Sequence, residues 1–164
     1  MRKILKKYSG LKLWSKAIKI IPGGNGLLSK RPERYLPDLW PTYFSKSKGC
    51  FVWDLDGNKY IDMAQNGIGS AILGYADPDV DKAVIECLKK GVNTTLNSPD
   101  EFELAKLLLK INPTMDMVKF ARGGGEALSI AVRLARAKTG LDKILFSGYH
   151  GWCDWYIAAN VSSN

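Results

Sequence analysis

Apolar residues recur at helical spacing along the first two thirds of the chain and predict three amphipathic helices. The first lies within residues 1–21 and ends at Pro22. We expect it to dock on the body of the protein, and attachment to a membrane surface is the alternative. The other two begin after Asp77 and after Ser98, where an N-cap residue precedes a proline in the first turn.

Strand and helix patterns alternate in the last third of the chain. Residues 117–121 and 143–147 are short apolar runs that predict strands. Residues 126–138 carry an amphipathic helix pattern, and Gly140 follows it as a C-terminal signal. Strand, helix and strand at this spacing predict a βαβ unit with a parallel sheet.

Two alternating runs within residues 50–63 flank Gly57 and predict a β-hairpin, because glycine tolerates the positive φ of a tight turn. A calcium loop is the alternative, since Asp54, Asp56 and Asn58 match its first three ligand positions. The sixth loop position, which requires glycine, is a lysine here, and this mismatch argues against calcium.

Composition and charge describe a globular chain with a basic N-terminal arm. The 164 residues include 24 Lys and Arg against 16 Asp and Glu, a net charge of +8, and all of this excess precedes Tyr35. Such an arm is more typical of a solvated segment than of a nucleic-acid groove. Three separated cysteines and one histidine support neither a disulfide framework nor a metal site. No apolar run is long enough to span a bilayer. We therefore expect a cytoplasmic protein that binds neither nucleic acid nor membrane.

Gly123, Gly124 and Gly125 separate the predicted strand 117–121 from the helix that follows it. Glycine lets the backbone approach a ligand closely, and the N–H groups of a first helical turn point where the positive end of the helix dipole lies. The turn therefore predicts a phosphate site, and a turn that only changes the direction of the chain is the alternative. It matches neither the dinucleotide-binding pattern nor the P-loop.

Aromatic residues follow the second predicted strand, at the sheet edge where ligands of parallel sheets bind. Tyr149 is suitably placed to stack on a planar ring whose phosphate lies in the glycine turn, a combination that describes pyridoxal phosphate. A core role for Tyr149 and Trp152 is the alternative, as is a structural hydrogen-bonding role for His150.

Five blocks of sequence, taken together and in this order, resemble the N-terminal part of class III, fold-type I, pyridoxal-phosphate (PLP) enzymes. The likeness is strongest to the glutamate-1-semialdehyde aminomutase branch. The blocks are IPGG at 21–24, VWDLDGNKYIDM at 52–63, ILGYADP at 72–78, VKFARGGGEALSIAVRLARAKTG at 118–140 and GYHGWCDWY at 148–156.

The resemblance implies an α/β fold, namely a partial fold-type I PLP-transferase. It contains an N-terminal helix, a β-hairpin segment and the first βαβ portion of the large-domain parallel sheet. Three parts are implied: an N-terminal helix and irregular arm at 1–49, a β-hairpin and helical segment at 50–111, and the start of the PLP-binding large domain at 112–164.

Matched by position, the family's phosphate turn N-S-G-T-E-A falls on residues 122–127. The resemblance therefore implies that Gly123, Gly124 and Gly125 bind the cofactor phosphate. The family's Ser and Thr are both glycine here, so two hydroxyl donors are lost while the backbone N–H donors remain.

The same matching implies cofactor-binding roles for two residues of the loop after the second predicted strand. Tyr149 matches the family's ring-stacking aromatic, and His150 matches the neighbouring histidine. Ile68 matches a substrate-side Trp of the aminomutases, and with Ser70 it is implied to contact substrate.

As a whole, the resemblance implies the N-terminal portion of a PLP-dependent aminotransferase or aminomutase that acts on a small amino or carbonyl substrate. Pyridoxal 5′-phosphate is the implied cofactor, an amino donor and a carbonyl acceptor are the implied ligands, and the full-length protein is implied to be a homodimer. No lysine of the chain matches the family's Schiff-base lysine, so we expect the chain to be inactive alone. A non-catalytic remnant that serves as a binding or assembly module is the alternative.

Overall fold

The computed structural model describes residues 8–64, 67–151 and 153, and the chain forms two compact units, Met1–Asn93 and Thr94–Asn164. The sequence predicts a different division, into three parts at 1–49, 50–111 and 112–164, and this division stays a prediction. The described α-helices are α1 (Ser9–Ala17), α2 (Pro78–Lys89), α3 (Pro99–Ile111) and α4 (Gly124–Thr139), and the strands are β1 (Phe44–Lys48), β2 (Phe51–Asp54) and β3 (Lys59–Ile61). Two short 3₁₀ helices span Leu28–Lys30 and Pro32–Arg34.

Helix α1 contributes the buried side chains of Trp14 and Ala17 to the N-terminal unit. Trp14 Nε1 donates a hydrogen bond to Glu33 Oε1 at 2.9 Å. Gly24 lies against the indole, because a Cβ at this residue would come within 2.3 Å of Trp14 Cη2, and its φ of +78° also favours glycine. The predicted helix is therefore present and packs on its own unit, although it ends before Pro22.

The three strands form an antiparallel sheet in the order β1-β2-β3. The predicted hairpin is confirmed as β2 and β3, in which Phe51 lies opposite Ile61 and Trp53 lies opposite Lys59. Gly57 adopts a φ of +81° in the turn between them, as the sequence predicts.

Asp54 is a buried carboxylate that organises this turn. Its Oδ1 accepts hydrogen bonds from the backbone N–H groups of Asp56 at 2.9 Å and Asn58 at 2.8 Å. Its Oδ2 accepts from Asn58 Nδ2 and from Tyr60 Oη, both at 2.9 Å. Burial by itself raises the pKa of Asp54, but the hydrogen bonds, led by those from Asn58, together outweigh burial and hold the pKa below its usual value.

Asp56, a second residue of the candidate calcium loop, binds the start of α1. Its carboxylate accepts hydrogen bonds from Ser9 N at 3.0 Å and from Ser9 Oγ. These bonds satisfy a donor at the helix N-terminus and place negative charge at the positive end of the helix dipole. The carboxylates of Asp54 and Asp56 therefore accept hydrogen bonds from N–H and O–H groups of the protein itself. These bonds explain why two aspartates occur two residues apart in this turn, and no cation is needed for that.

Helices α2 and α3 begin where the sequence predicts. The Asp77 side chain accepts hydrogen bonds from the N–H groups of Asp79 and Val80, both at 3.1 Å. Ser98 Oγ accepts from Asp100 N at 3.2 Å. No helix in the described part of the chain has the length and apolar character to cross a bilayer.

The amphipathic pattern of α2 predicts that Cys87 and the rest of its apolar stripe lie in a core, and the structure contradicts this prediction. Val80, Val84 and Leu88 are 47%, 52% and 56% exposed, and Cys87 is exposed as well. An amphipathic pattern requires a second packed layer to become a core, and the described residues do not cover this stripe.

The predicted strands at 117–121 and 143–147 are likewise corrected, because neither is paired among the described residues. A strand requires ladder hydrogen bonds to a neighbouring backbone, and the described ladders lie only among β1, β2 and β3. The predicted helix between the two segments is present as α4, and it ends at Gly140 in the left-handed conformation expected of a C-terminal glycine.

The Asp54 network predicts a specific pH dependence of stability. Because its pKa is lowered in the folded protein, ionised Asp54 stabilises the fold above its ordinary pKa, and this contribution disappears as the pH falls through the lowered value. Asp54→Asn should therefore lower the free energy of unfolding by about 1–3 kcal/mol at neutral pH. The gap to wild type should narrow below about pH 4. Urea unfolding at several pH values measures this difference.

Asp38→Asn, at an exposed position, is the matched control and should change stability little. A gap between wild type and Asp54→Asn that stays constant from neutral pH to about pH 3 would contradict the assignment.

Candidate cofactor site

The candidate phosphate site is the N-terminal turn of α4. Gly123 is the N-cap residue, and Gly124 begins the helix. Ala127 N donates the first intrahelical hydrogen bond, to Gly123 O at 3.0 Å. The N–H groups of residues 124–126 precede that bond and have no partner within the helix, so they are the donors that a phosphate would accept from.

This turn is open on the side of its first two glycines. Gly123 and Gly124 are exposed, and a Cβ added at either residue would meet no atom within 4 Å. An exposed turn with unused helical donors fits a ligand site better than it fits a turn that only changes the direction of the chain. The residues present therefore fit a phosphate group.

Glu126 orders the backbone just before this turn. Its Oε2 accepts a hydrogen bond from the Arg122 N–H at 2.8 Å. Glu126 follows the N-cap residue by three positions, where the acid of a capping box is found. This role of Glu126 was not predicted, although a glutamate three residues after an N-cap glycine is a sequence signal for it.

The loop that follows residue 147 contacts the turn through its backbone. A Cβ at Gly151 would lie 2.7 Å from Gly125 Cα and 3.1 Å from Gly125 N, so the two backbones meet there. The Cys153 thiol donates to Gly125 O, with 2.7 Å between Sγ and the oxygen. The structure thus brings the loop that carries Tyr149 and His150 against the glycine turn, an arrangement that a shared site for these residues would require.

Tyr149 and His150 have different environments in this loop. Tyr149 is 70% exposed, so its ring is accessible to a ligand and is not part of a core. The His150 ring lies edge-on to Phe146, with 5.8 Å between ring centroids and 83° between planes. His150 also lines an apolar groove with Leu128 and Val132 of α4. These contacts favour the structural role for His150, and its cofactor-binding role stays a prediction. Trp152 lies outside the described residues.

The predicted substrate residues Ile68 and Ser70 lie in the N-terminal unit, in a tight turn. Ser70 Oγ donates a hydrogen bond to Gly67 O at 2.6 Å. Ile68 has a φ of +61°, which is unfavourable for a β-branched residue, and its side chain is 51% exposed. Strained backbone of this kind is typical of functional segments, but contact of Ile68 and Ser70 with substrate stays a prediction.

Comparison with known proteins identifies the family: the chain belongs to the class III aminotransferases, whose family model, "Aminotransferase class-III", matches residues 37–164. It is 41% identical over 150 residues to a glutamate-1-semialdehyde 2,1-aminomutase of Campylobacter hominis, covering 89% of this chain and 32% of that protein. The chain spans about a third of the length of the curated relatives it matches. The family predicted from the five sequence blocks is thereby confirmed.

Solved structures support the same conclusion about the fold. The chain resembles an omega-transaminase from Sphaerobacter thermophilus with a TM-score of 0.79 and 33% identity, covering 90% of this chain and 33% of that one. It resembles a transaminase with PLP bound with a TM-score of 0.77 and 32% identity, covering 87% of this chain and 33% of that one. These matches confirm a partial α/β fold of the fold-type I PLP-transferases and pyridoxal 5′-phosphate as the cofactor of the family.

The Glu126 contact predicts a local effect on the backbone before the turn. Glu126→Ala removes the acceptor of the Arg122 N–H, so the Arg122 amide should exchange its hydrogen roughly threefold to tenfold faster, as expected for the loss of one ordinary hydrogen bond. Glu126→Gln keeps an acceptor oxygen at the same place and should stay near the wild-type rate. Amide hydrogen exchange followed by NMR distinguishes the two variants, and equal rates in both would refute the contact.

Proposed function

We propose that this chain is the N-terminal part of a PLP-dependent aminotransferase or aminomutase that moves an amino group on a small amino or carbonyl substrate. One observation carries the proposal: an open glycine turn begins a helix of 16 residues and is contacted by the loop that bears an exposed tyrosine. Family membership supports the same chemistry and the same cofactor.

In this proposal, the phosphate binds to backbone donors rather than to side chains. The N–H groups at the start of α4 and the positive end of its dipole both favour a dianionic group. Because Gly123 and Gly125 replace the family's Ser and Thr, affinity depends on these backbone donors. Each missing hydroxyl lowers the affinity for the cofactor phosphate by the contribution of one charge-assisted hydrogen bond.

Tyr149 is proposed to lie against the cofactor ring, since aromatic stacking requires an accessible ring face on a loop that contacts the phosphate turn. His150 supports that loop through Phe146 and α4. When bound, the cofactor supplies the electron sink for amino-group chemistry, while the protein supplies binding and orientation. Ile68 and Ser70 are proposed, on family resemblance, to contact substrate.

The ligands, the oligomeric state and the location of the whole protein are proposed as well. An amino donor and a carbonyl acceptor are the ligands that the family chemistry requires, and a homodimer follows from family resemblance. A cytoplasmic location is proposed from the three separated cysteines, which do not form a disulfide framework. The reaction needs a lysine amine that no motif of this segment provides. We therefore propose that the segment binds cofactor phosphate but does not catalyse without the rest of the family's fold.

Two substitutions one residue apart should change cofactor affinity in opposite directions. Gly123→Ser restores a hydroxyl of the family pattern at a position with open space, and it should strengthen binding about threefold to tenfold. Gly124→Ala places a methyl group beside the first-turn donors and should weaken binding about tenfold. Alanine should still stabilise the helix slightly, because it reduces the entropy of the unfolded chain.

Calorimetric titration of the purified protein with pyridoxamine 5′-phosphate measures both effects. This probe has the ring and phosphate of the cofactor but no aldehyde to react with surface lysines. Thermal unfolding of each variant shows that the fold is intact. A wild-type protein that binds none of the probe at millimolar concentration would overturn the proposal and favour the non-catalytic binding module.

A further inference from the structure

We infer that Gly151 is a positioning residue, which holds the Tyr149 loop in fixed register with the phosphate turn. The inference rests on the proposed function, because Gly151 would set the distance between two parts of the same cofactor site, the phosphate turn and the loop that carries Tyr149. It comes from the contact between Gly151 and Gly125, which lie far apart in the sequence.

The contact leaves no room for a side chain on Gly151. The position of a Cβ there is 2.7 Å from Gly125 Cα, 3.1 Å from Gly125 N and 3.8 Å from Gly124 C. All three atoms belong to backbone, so no flexible side chain can move aside to relieve the overlap. Any other residue at position 151 would push the loop away from the turn or displace the turn itself.

Cys153 contacts the same glycine from the carbonyl side. Its thiol donates to Gly125 O, whereas Gly151 lies against Gly125 Cα and N. Two residues of one short segment therefore hold Gly125 on both sides of its Cα. The turn and the loop must then move together, which fixes the separation between the phosphate donors and the backbone two residues from Tyr149.

A fixed separation matters for a ligand with two parts. The cofactor joins a phosphate to a planar ring, so its affinity is highest when the two binding elements are already spaced to match it. If a methyl group at position 151 displaces the loop, binding of the whole cofactor should weaken more than binding of inorganic phosphate. Inorganic phosphate contacts the turn alone, so it does not depend on the position of the loop. This difference is the signature of positioning.

Gly148 provides a matched control in the same loop. Its φ is +81° and that of Gly151 is +93°, so alanine costs similar backbone strain at either position. A Cβ at Gly148 would nevertheless meet no atom within 4 Å. Comparing Gly148→Ala with Gly151→Ala therefore separates strain from the contact with Gly125.

The experiment uses the whole chain of 164 residues. Calorimetry with pyridoxamine 5′-phosphate and with inorganic phosphate is expected to show that Gly151→Ala weakens binding of the first probe about tenfold more than Gly148→Ala does. Its effect on phosphate binding should be about threefold at most. Equal affinities of the two variants for pyridoxamine 5′-phosphate would overturn the inference.

A second measurement needs no ligand. Gly151→Ala should speed hydrogen exchange of the Ala127 amide, which donates to Gly123 O in the same turn, and Gly148→Ala should not. Unchanged exchange in Gly151→Ala would overturn the positioning contact even if the cofactor binds. A wild-type protein that binds neither probe, but shows the expected exchange pattern, would overturn the proposed function while upholding the contact.

Discussion

The candidate site depends on the close approach of two backbone segments, which only glycine allows because it has no side chain. The loop after residue 147 reaches the start of α4 only because Gly151 has no side chain to keep it away from Gly125. In the N-terminal unit, Gly24 similarly allows the Trp14 indole to pack on the chain. At both places a methyl group would overlap atoms of the protein, so the lack of a side chain determines which segments meet.

The start of α4 combines two properties that a phosphate requires. Its first-turn N–H groups have no partner within the helix, and its glycines leave one side of the turn exposed. Glu126 orders the backbone ahead of the turn, and the loop with Gly151 and Cys153 holds Gly125. Tyr149 is exposed on that loop, so a ring attached to the phosphate has an aromatic surface within the same unit.

Local signals predicted the helices, the hairpin and the family. Asp77 and Ser98 accept hydrogen bonds from the turns that follow them, and Gly57 adopts the positive φ of its turn, because each of these features involves residues only a few positions apart. Contacts between distant segments could not be predicted in this way. Three features depend on packing, which periodicity does not specify. They are the lack of strand pairing at 117–121 and 143–147 among the described residues, the exposure of the α2 stripe and the contact of Gly151 with Gly125.

In the proposed site, the amides at the start of α4 bind the cofactor phosphate. Amide NMR spectra recorded while pyridoxamine 5′-phosphate is added to the protein test this claim most directly. We expect the resonances of Gly124, Gly125 and Tyr149 to shift together and to saturate at the same ligand concentration. Resonances of these residues that stay in place while the ligand binds would contradict it.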